Sequence, residues 1–413
     1  MVPVLDQYSI LYPALVILVG ERQIANSAEN EYASLFPPSR RQTLNGYEAL
    51  SNRELSGNLI GFEEDFRYCD LSKYVASGFS VAEIKVLGDF PDYPKLSGVP
   101  PPTPYGEFDI DKALPRPYRP FRWAYHQTMS LTKMEPDWWL ELENTYRSRI
   151  RQRKGLYEEH GEAVLQWLAG SELACKELME MCLQFLCTRY PHYFSLADDK
   201  TFENKILGSA QDITKKHPLL VLLDNVPEDF AIMLRNPETG YYQFRAGMIC
   251  SSLGFFTKMA TDKPIQRGSW GLEVDQPLYM PPGDPHEKDR DYQSAELTLE
   301  RCHLRVDWQT LRRLPLSASI VFNFKAVFTP VQELRDEPYI PSIILKVLNE
   351  GNEAIIKYKN TWHVEHIVKP ALEQYEKEQI KSGAIPKNWT VQTLDESPWF
   401  PGWQEKWHQQ QGF

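Results

Sequence analysis

The 413-residue chain has little of what marks several protein classes. Its six cysteines are Cys69, Cys175, Cys182, Cys187, Cys250 and Cys302, and no two form a CxxC pair. So few in so long a chain exclude a disulfide framework and point to a reducing, cytoplasmic compartment. No apolar run is long enough to read as a membrane-spanning helix. The nearest, SILYPALVILVG from Ser9 to Gly20, carries Pro13 and has no basic flank before it. It reads as a buried strand or docking segment, with a membrane anchor or an export signal as the alternative. Basic charge is in deficit too: 45 Lys and Arg against 56 Asp and Glu give a net charge of −11. A nucleic-acid binder shows the opposite balance, so no nucleic-acid partner is expected. GxGxxG, P-loop and GxSxG motifs are all absent, which leaves nucleotide-binding and serine-hydrolase readings without an anchor. No internal repeat is found.

What is present is a core-forming composition, 42% hydrophobic and 24% charged, with 31 prolines against 22 glycines and 12% aromatics. Proline fixes φ and removes a donor, so it favours long ordered coil lying on a core. Its clusters fall early, at Phe36-Pro37-Pro38, Pro100-Pro101-Pro102 and Pro115-Arg116-Pro117-Tyr118-Arg119-Pro120. Residues 1–112 therefore read as an N-terminal arm, 113–380 as one α+β domain, and 381–413 as a docked tail carrying Trp389, Trp399, Trp403 and Trp407.

Helical spacing of Trp139, Leu142, Tyr146 and Ile150 predicts a helix from Glu135-Pro136 onward. The dense basic run Arg147–Lys154 then reads as a solvated face, or else as a docking patch for an anionic or redox partner. A second helix starts after Ser171 and runs to Arg189, with Cys182 among its core residues. Leu219–Leu223 is a continuous apolar run. Phe230–Leu234, a turn at 236–240 and Tyr241–Cys250 suggest a hairpin. His303–Asp307 and Ser319–Phe328 read as further strands, with Gln309–Leu314 as a short helical turn between them. Lys359–Lys381 is a closing helix, kinked or broken at Pro370.

Three groups could carry chemistry. His363 and His366 share a helical face beside Glu365, a geometry that could grip a metal or simply be solvated. Asp284–Asp291 is a charged loop. In Arg301–Pro315, RCHLRVDWQTLRRLP, a strand would place His303, Arg305 and Asp307 on one face. They would form either an internal ion pair or the polar wall of a ligand pocket. Arg267-Gly268-Ser269-Trp270 is a second candidate for that wall.

The segment HLRVDWQTLRRLPLSASIVFNFKAVFTP resembles the signature of the haem-dependent oxidative N-demethylase-like family, its fungal branch in particular. Arg305, Gln309, Thr310, Leu311, Arg312, Arg313, Leu314 and Pro315 carry the match, with Asp307 and Trp308 where the family has Glu-Arg. Leu114–Trp123, Thr128–Leu131, Arg189-Tyr190-Pro191 and Phe244–Ser251 resemble other family elements in the same order. The resemblance implies a PAS-like antiparallel sheet with flanking helices, haem b, and oxidation of a small amine or secondary metabolite with electrons from a reductase. It assigns Arg305, Gln309 and Arg312, with Arg267 and Trp270, to the cofactor and substrate pocket, the arginines pairing with haem propionates or an anionic substrate. One departure stands out. After Cys250-Ser251 the family's histidine-x-proline-valine-proline segment is missing. This leaves His303 as a candidate axial ligand, with His286 the other histidine near the matched blocks. The alternative is a cofactor-free, non-catalytic paralogue or partner subunit.

Overall fold

β-Branched and aromatic runs between residues 229 and 330 form the long strands of an antiparallel sheet. The computed structural model describes residue 79 and residues 81–123, 132–236, 242–250, 264–280 and 284–412. The Ser9–Gly20 run, the 128–131 element, the turn at 237–240, the 251–263 stretch and Pro281-Pro282-Gly283 lie outside the described residues. Strands β1 (Thr132–Lys133), β2 (Leu165–Trp167), β6 (Asp229–Arg235), β7 (Tyr242–Met248), β8 (Ile265–Val274), β9 (Cys302–Arg313) and β10 (Ile320–Pro330) pair in the order β1-β8-β9-β10-β6-β7-β2. Every pairing is antiparallel. A small second sheet joins β3 (Phe194–Ala197), β4 (Thr201–Asn204) and β5 (Ser209–Asp212). Helices α1 (Val81–Leu87), α2 (Tyr93–Ser97), α3 (Tyr146–His160), α4 (Glu172–Arg189) and α5 (Pro218–Asn225) precede the long strands. Helices α6 (Pro285–Lys288), α7 (Ile340–Glu350), α8 (Glu353–Lys359), α9 (Trp362–Ser382) and α10 (Trp403–Gln411) come later. The architecture is α+β, as the sequence indicates. Among the described residues no helix is long and apolar enough to cross a membrane.

Local chemistry explains where the structure departs from the periodicities. Only a single turn, Pro136–Trp138, forms after Glu135, and the helix waits until Tyr146. In between, the Leu142 N–H donates to the Tyr190 hydroxyl and the Asn144 N–H to the Ala113 carbonyl, so neither is free to close a helical turn. The apolar run at Leu219–Leu223 lies within α5, because Pro218 sits in its first turn and His217 Nδ1 accepts from the Leu219 N–H. Gln309–Leu314 is not a helical turn. β9 continues to Arg313, its register with β10 intact, and the turn comes at Pro315–Ala318. Buried Glu177 from α4 fixes that turn by accepting from the backbone N–H groups of Leu316 and Ser317 and from the Ser317 hydroxyl. α9 runs unbroken through Pro370.

Side chains alternate across the sheet, and both faces of β9 are buried. On one face, Trp308, Val306 and Leu304 join Trp270, Leu272, α7 and α9 in one apolar core. Farther along, Val321, Phe230 and Ile232 join α3, α4 and α5 in another. The proline-rich segment 115–123 lies on this face. Tyr118 stacks on Trp308, with ring centroids 5.3 Å apart, and packs so closely on β8 that a Cβ at Gly268 would come within 2.4 Å of its ring. The tail packs here too: Trp399 lies edge-on to Tyr118 and Trp308 and stacks on Trp403. Arg116 is sandwiched between the rings of Trp138 and Trp407.

A buried ion pair holds this segment in place. Arg119 Nε and Nη2 donate to the two carboxylate oxygens of Glu337 at 2.6 and 2.7 Å, and neither side chain reaches solvent. The Arg119 backbone N–H donates to the Pro398 carbonyl, so the proline-rich segment 115–123 and the tail meet at one residue. Arg119→Ala would leave the Glu337 carboxylate buried with only Lys406 beside it, at 3.3 Å. The expected loss is about 3 kcal/mol, read as a lower midpoint in chemical denaturation. An unchanged midpoint would show that the pair contributes nothing.

A polar seam lies between the two apolar cores. The Thr310 hydroxyl donates to Asn323 Oδ1, Asn323 Nδ2 donates to buried Glu228, and Lys325 reaches the Glu141 carbonyl at 2.8 Å and Glu143 at 3.4 Å. Burial pushes the Glu228 carboxyl from 4.5 up to about 7, against the attraction of Lys325. The folded protein therefore holds this proton more tightly than the unfolded chain does. The resulting stability is full below about 4.5 and is lost as pH rises through about 7. Glu228→Gln has no such proton to lose. Its melting temperature relative to wild type is expected to rise between pH 5 and pH 8, and a pH-independent difference would refute the assignment.

Candidate functional site

The other face of β9 carries His303, Arg305, Asp307 and Gln309 in one row, as a strand requires. Opposite them on β8 stand Glu273, Gly271, Ser269 and Arg267, and on β10 Pro330, Phe328, Ala326 and Phe324. Phe322, Phe324, Leu311 and Ala231 make a small apolar floor at one end. The row is mainly cationic. Arg267 Nε donates to Gln309 Oε1, and the Arg267 guanidinium lies 5.7 Å from the Phe322 ring. Arg305 Nε donates to Asp307 Oδ1 at 3.0 Å and Nη1 to the Pro277 carbonyl at 3.1 Å, while Nη2 is buried with no hydrogen-bond partner among the described residues. From α8, Lys359 Nζ donates to the Ser269 hydroxyl at 3.0 Å.

Burial costs these cations their solvation. It lowers the Arg267 guanidinium to about 10 and the Lys359 ammonium to about 8, the latter despite the attraction of Asp307. Asp307 is bonded directly to this group, through Arg305. The arrangement can therefore take an anion beside an apolar surface.

The six residues singled out from the sequence do not form one wall. Arg267, Arg305 and Gln309 come together, with His303 at the end of the same row. Arg312 and Trp270 point to the opposite face, because each is an odd number of strand positions from the residues it was grouped with. Arg312 stacks on Trp139 at 4.0 Å, and Trp270 packs against Phe121. The Arg305–Asp307 ion pair is formed, yet it leaves one guanidinium nitrogen over, so pair and pocket wall coexist. Lys359 was missed. No periodicity marks it, since it reaches the site from a separate helix.

Other sequence candidates are engaged elsewhere. His363 Nδ1 lies 3.1 Å from the Asn360 carbonyl and His366 Nε2 2.9 Å from the Ser294 carbonyl. Among the described residues no group of three His, Cys, Asp or Glu side chains could hold a metal ion. The basic run on α3 is largely a solvated face, with Arg147, Arg151 and Lys154 exposed and Arg153 turned inward. Arg153 is buried against Asp229 and the Glu228 carbonyl, Arg147 pairs with Asp111, and Lys154 with Asp224. Loop 284–291 is anchored by Arg290 on Glu273.

The donor set fits the rim of a haem and not its iron. Buried guanidinium groups beside phenylalanine rings suit propionates lying against an apolar macrocycle. An axial position needs a free imidazole, thiolate or phenolate. His303 does not offer one, since its Nδ1 is 3.1 Å from the Arg301 carbonyl and its Nε2 3.4 Å from Gln276. His286 Nδ1 lies 3.2 Å from Asp284 on α6, outside the row.

A family model described as haem-dependent oxidative N-demethylase, alpha subunit-like, matches residues 130–258 and 252–369. The two matched pieces overlap at 252–258, between β7 and β8 in the chain. Together they span more than half of the protein, and the sheet, α4 and the Arg305 row all fall within them. The chain belongs to the haem-dependent oxidative N-demethylase, alpha subunit-like family.

Proposed function

We propose that the protein is a haem-dependent oxidoreductase that oxidises a small amine or secondary metabolite as an N-demethylase-like monooxygenase. The observation that carries this reading is Arg305 Nη2, a buried guanidinium donor with no partner among the described residues, facing the same side of the sheet as Arg267 and Lys359. Asp307 meets one edge of this guanidinium, and a haem propionate has the charge and planarity to accept from the nitrogen that is left. The order β7-β6-β10-β9-β8, strands 2-1-5-4-3 of five in chain order, supports the PAS-like reading of the sheet.

In this role Asp307 fixes the Arg305 guanidinium through Nε and leaves Nη2 for the propionate. Gln309 holds Arg267 from the neighbouring strand. Lys359 adds a third cation whose proton comes off near pH 8. Phe322 and Phe328 exclude water from the guanidinium faces of Arg267 and Arg305. When bound, haem iron would activate dioxygen to oxidise the carbon next to the substrate nitrogen, with electrons delivered by a reductase.

One observation favours a second reading, a cofactor-free, non-catalytic paralogue or partner subunit: both ring nitrogens of His303 are already engaged. The absorption spectrum of protein expressed with haem supplied separates the two. A Soret band that shifts on reduction and on addition of carbon monoxide is expected. A folded protein without one would establish the second reading. Arg305→Ala is expected to weaken haem retention by about tenfold with an unchanged circular dichroism spectrum. Global unfolding of that variant would reduce Arg305 to a structural ion-pair partner.

A further inference from the structure

On the opposite face of the sheet, a cavity of about 360 Å³ lies between the proline-rich arm and α4. Tyr93, Pro101, Met134, Met181 and Phe185 supply most of its apolar wall, and Arg312 closes it on the sheet side. Arg312 is 5% exposed. Its guanidinium lies 4.0 Å from the Trp139 ring and makes no hydrogen bond to any described residue; Nε is fully buried without a partner. The acids around it are committed elsewhere. Glu177 accepts three hydrogen bonds from the Leu316–Ser317 turn, Glu180 is bound to the Tyr93 hydroxyl and to Lys176, and Asp92 caps α2 at the exposed rim. The fold thus keeps a guanidinium in an apolar cleft with a ring face against it and no acid bonded to it, buried Glu177 attracting it only from a distance. An indole face offsets part of the cost of desolvating a guanidinium, and an anion would offset far more.

We propose that this cleft is a binding site for a small monocarboxylic acid with an apolar body, its carboxylate on Arg312 and its hydrocarbon part against Met181, Phe185 and the prolines. The charge count sets the class. One guanidinium matches one carboxylate in a planar, two-bonded pair, whereas a phosphate dianion would need a second cation that the cleft lacks among its lining residues. Size agrees, since the volume lies at the small-molecule end of ligand pockets. The amide of Gln184 does not compete for the ligand, as it already donates to the Phe90 and Pro91 carbonyls and pins the arm that forms the far wall. Because Arg312 and Arg305 point to opposite faces of β9, this site is separate from the proposed haem face.

The test is calorimetric titration of the full chain with 2-naphthoate and with its neutral match, 2-naphthamide. Wild type is expected to bind the acid about tenfold tighter than the amide, and Arg312→Gln to abolish that preference while still binding the amide. Equal affinity for the two probes, no binding of either, or an undiminished preference in Arg312→Gln would overturn the proposal. If Arg312→Gln does not fold, Thr188→Trp, which fills the cleft from α4 and leaves Arg312 intact, serves instead. It is expected to lose both probes, and retained binding of the acid would place it elsewhere.

Discussion

The period of two along β9 is the constraint on which the rest of this protein depends. Twelve residues in one extended strand send Arg305, Asp307 and Gln309 to one side and Trp308, Thr310 and Arg312 to the other. Both sides are buried, so both are committed. One side receives the arm, the tail and two helical layers; the other holds the cationic row. A one-residue slip against β10 would exchange the two sets and destroy both at once, which is why register is held at each end. At one end the Glu177-bound turn does this, and at the other Arg301 pairs with Asp275 on the neighbouring chain segment.

The buried arginines differ in how their charge is met. Arg119 is matched by both oxygens of Glu337. Arg153 binds Asp229 and the Glu228 carbonyl and keeps Nε without a hydrogen-bond partner among the described residues. Both are structural pairs, costly to desolvate and met within the fold. Arg305 keeps one nitrogen unmatched beside Asp307, and Arg312 lies over an aromatic face with no acid bonded to it. Arg305 and Arg312 mark two cationic surfaces, one on each side of the same strand. Strand β9 thus supplies a guanidinium to each face.

Much of this was legible in the residues. The alternation in His303–Asp307 and the run Ile320–Phe328 are strand patterns that no helix could use, and the α4 stripe through Leu178, Cys182 and Phe185 requires a buried helix. The extension of β9 through Gln309–Arg313 was not legible. Leu311, Arg312 and Arg313 have good helix propensity and precede a proline, and only pairing with β10 on one side and β8 on the other makes them extended. The same applies to Leu219–Leu223, where a short apolar run fits either state and Pro218 with its histidine cap decides.

By itself the sequence determined the family, the α+β class, the buried helix α4 and the shared face of His303, Arg305 and Asp307, because these follow from local order and side-chain period. Tertiary structure alone decided which charges are spent and which remain. Whether Arg153 is a surface cation or a buried partner, whether His303 has a free nitrogen, and whether Lys359 joins Arg267 all depend on groups distant in the chain. Pairing of charges is a property of distances in space, and neither periodicity nor spacing along one segment carries that information.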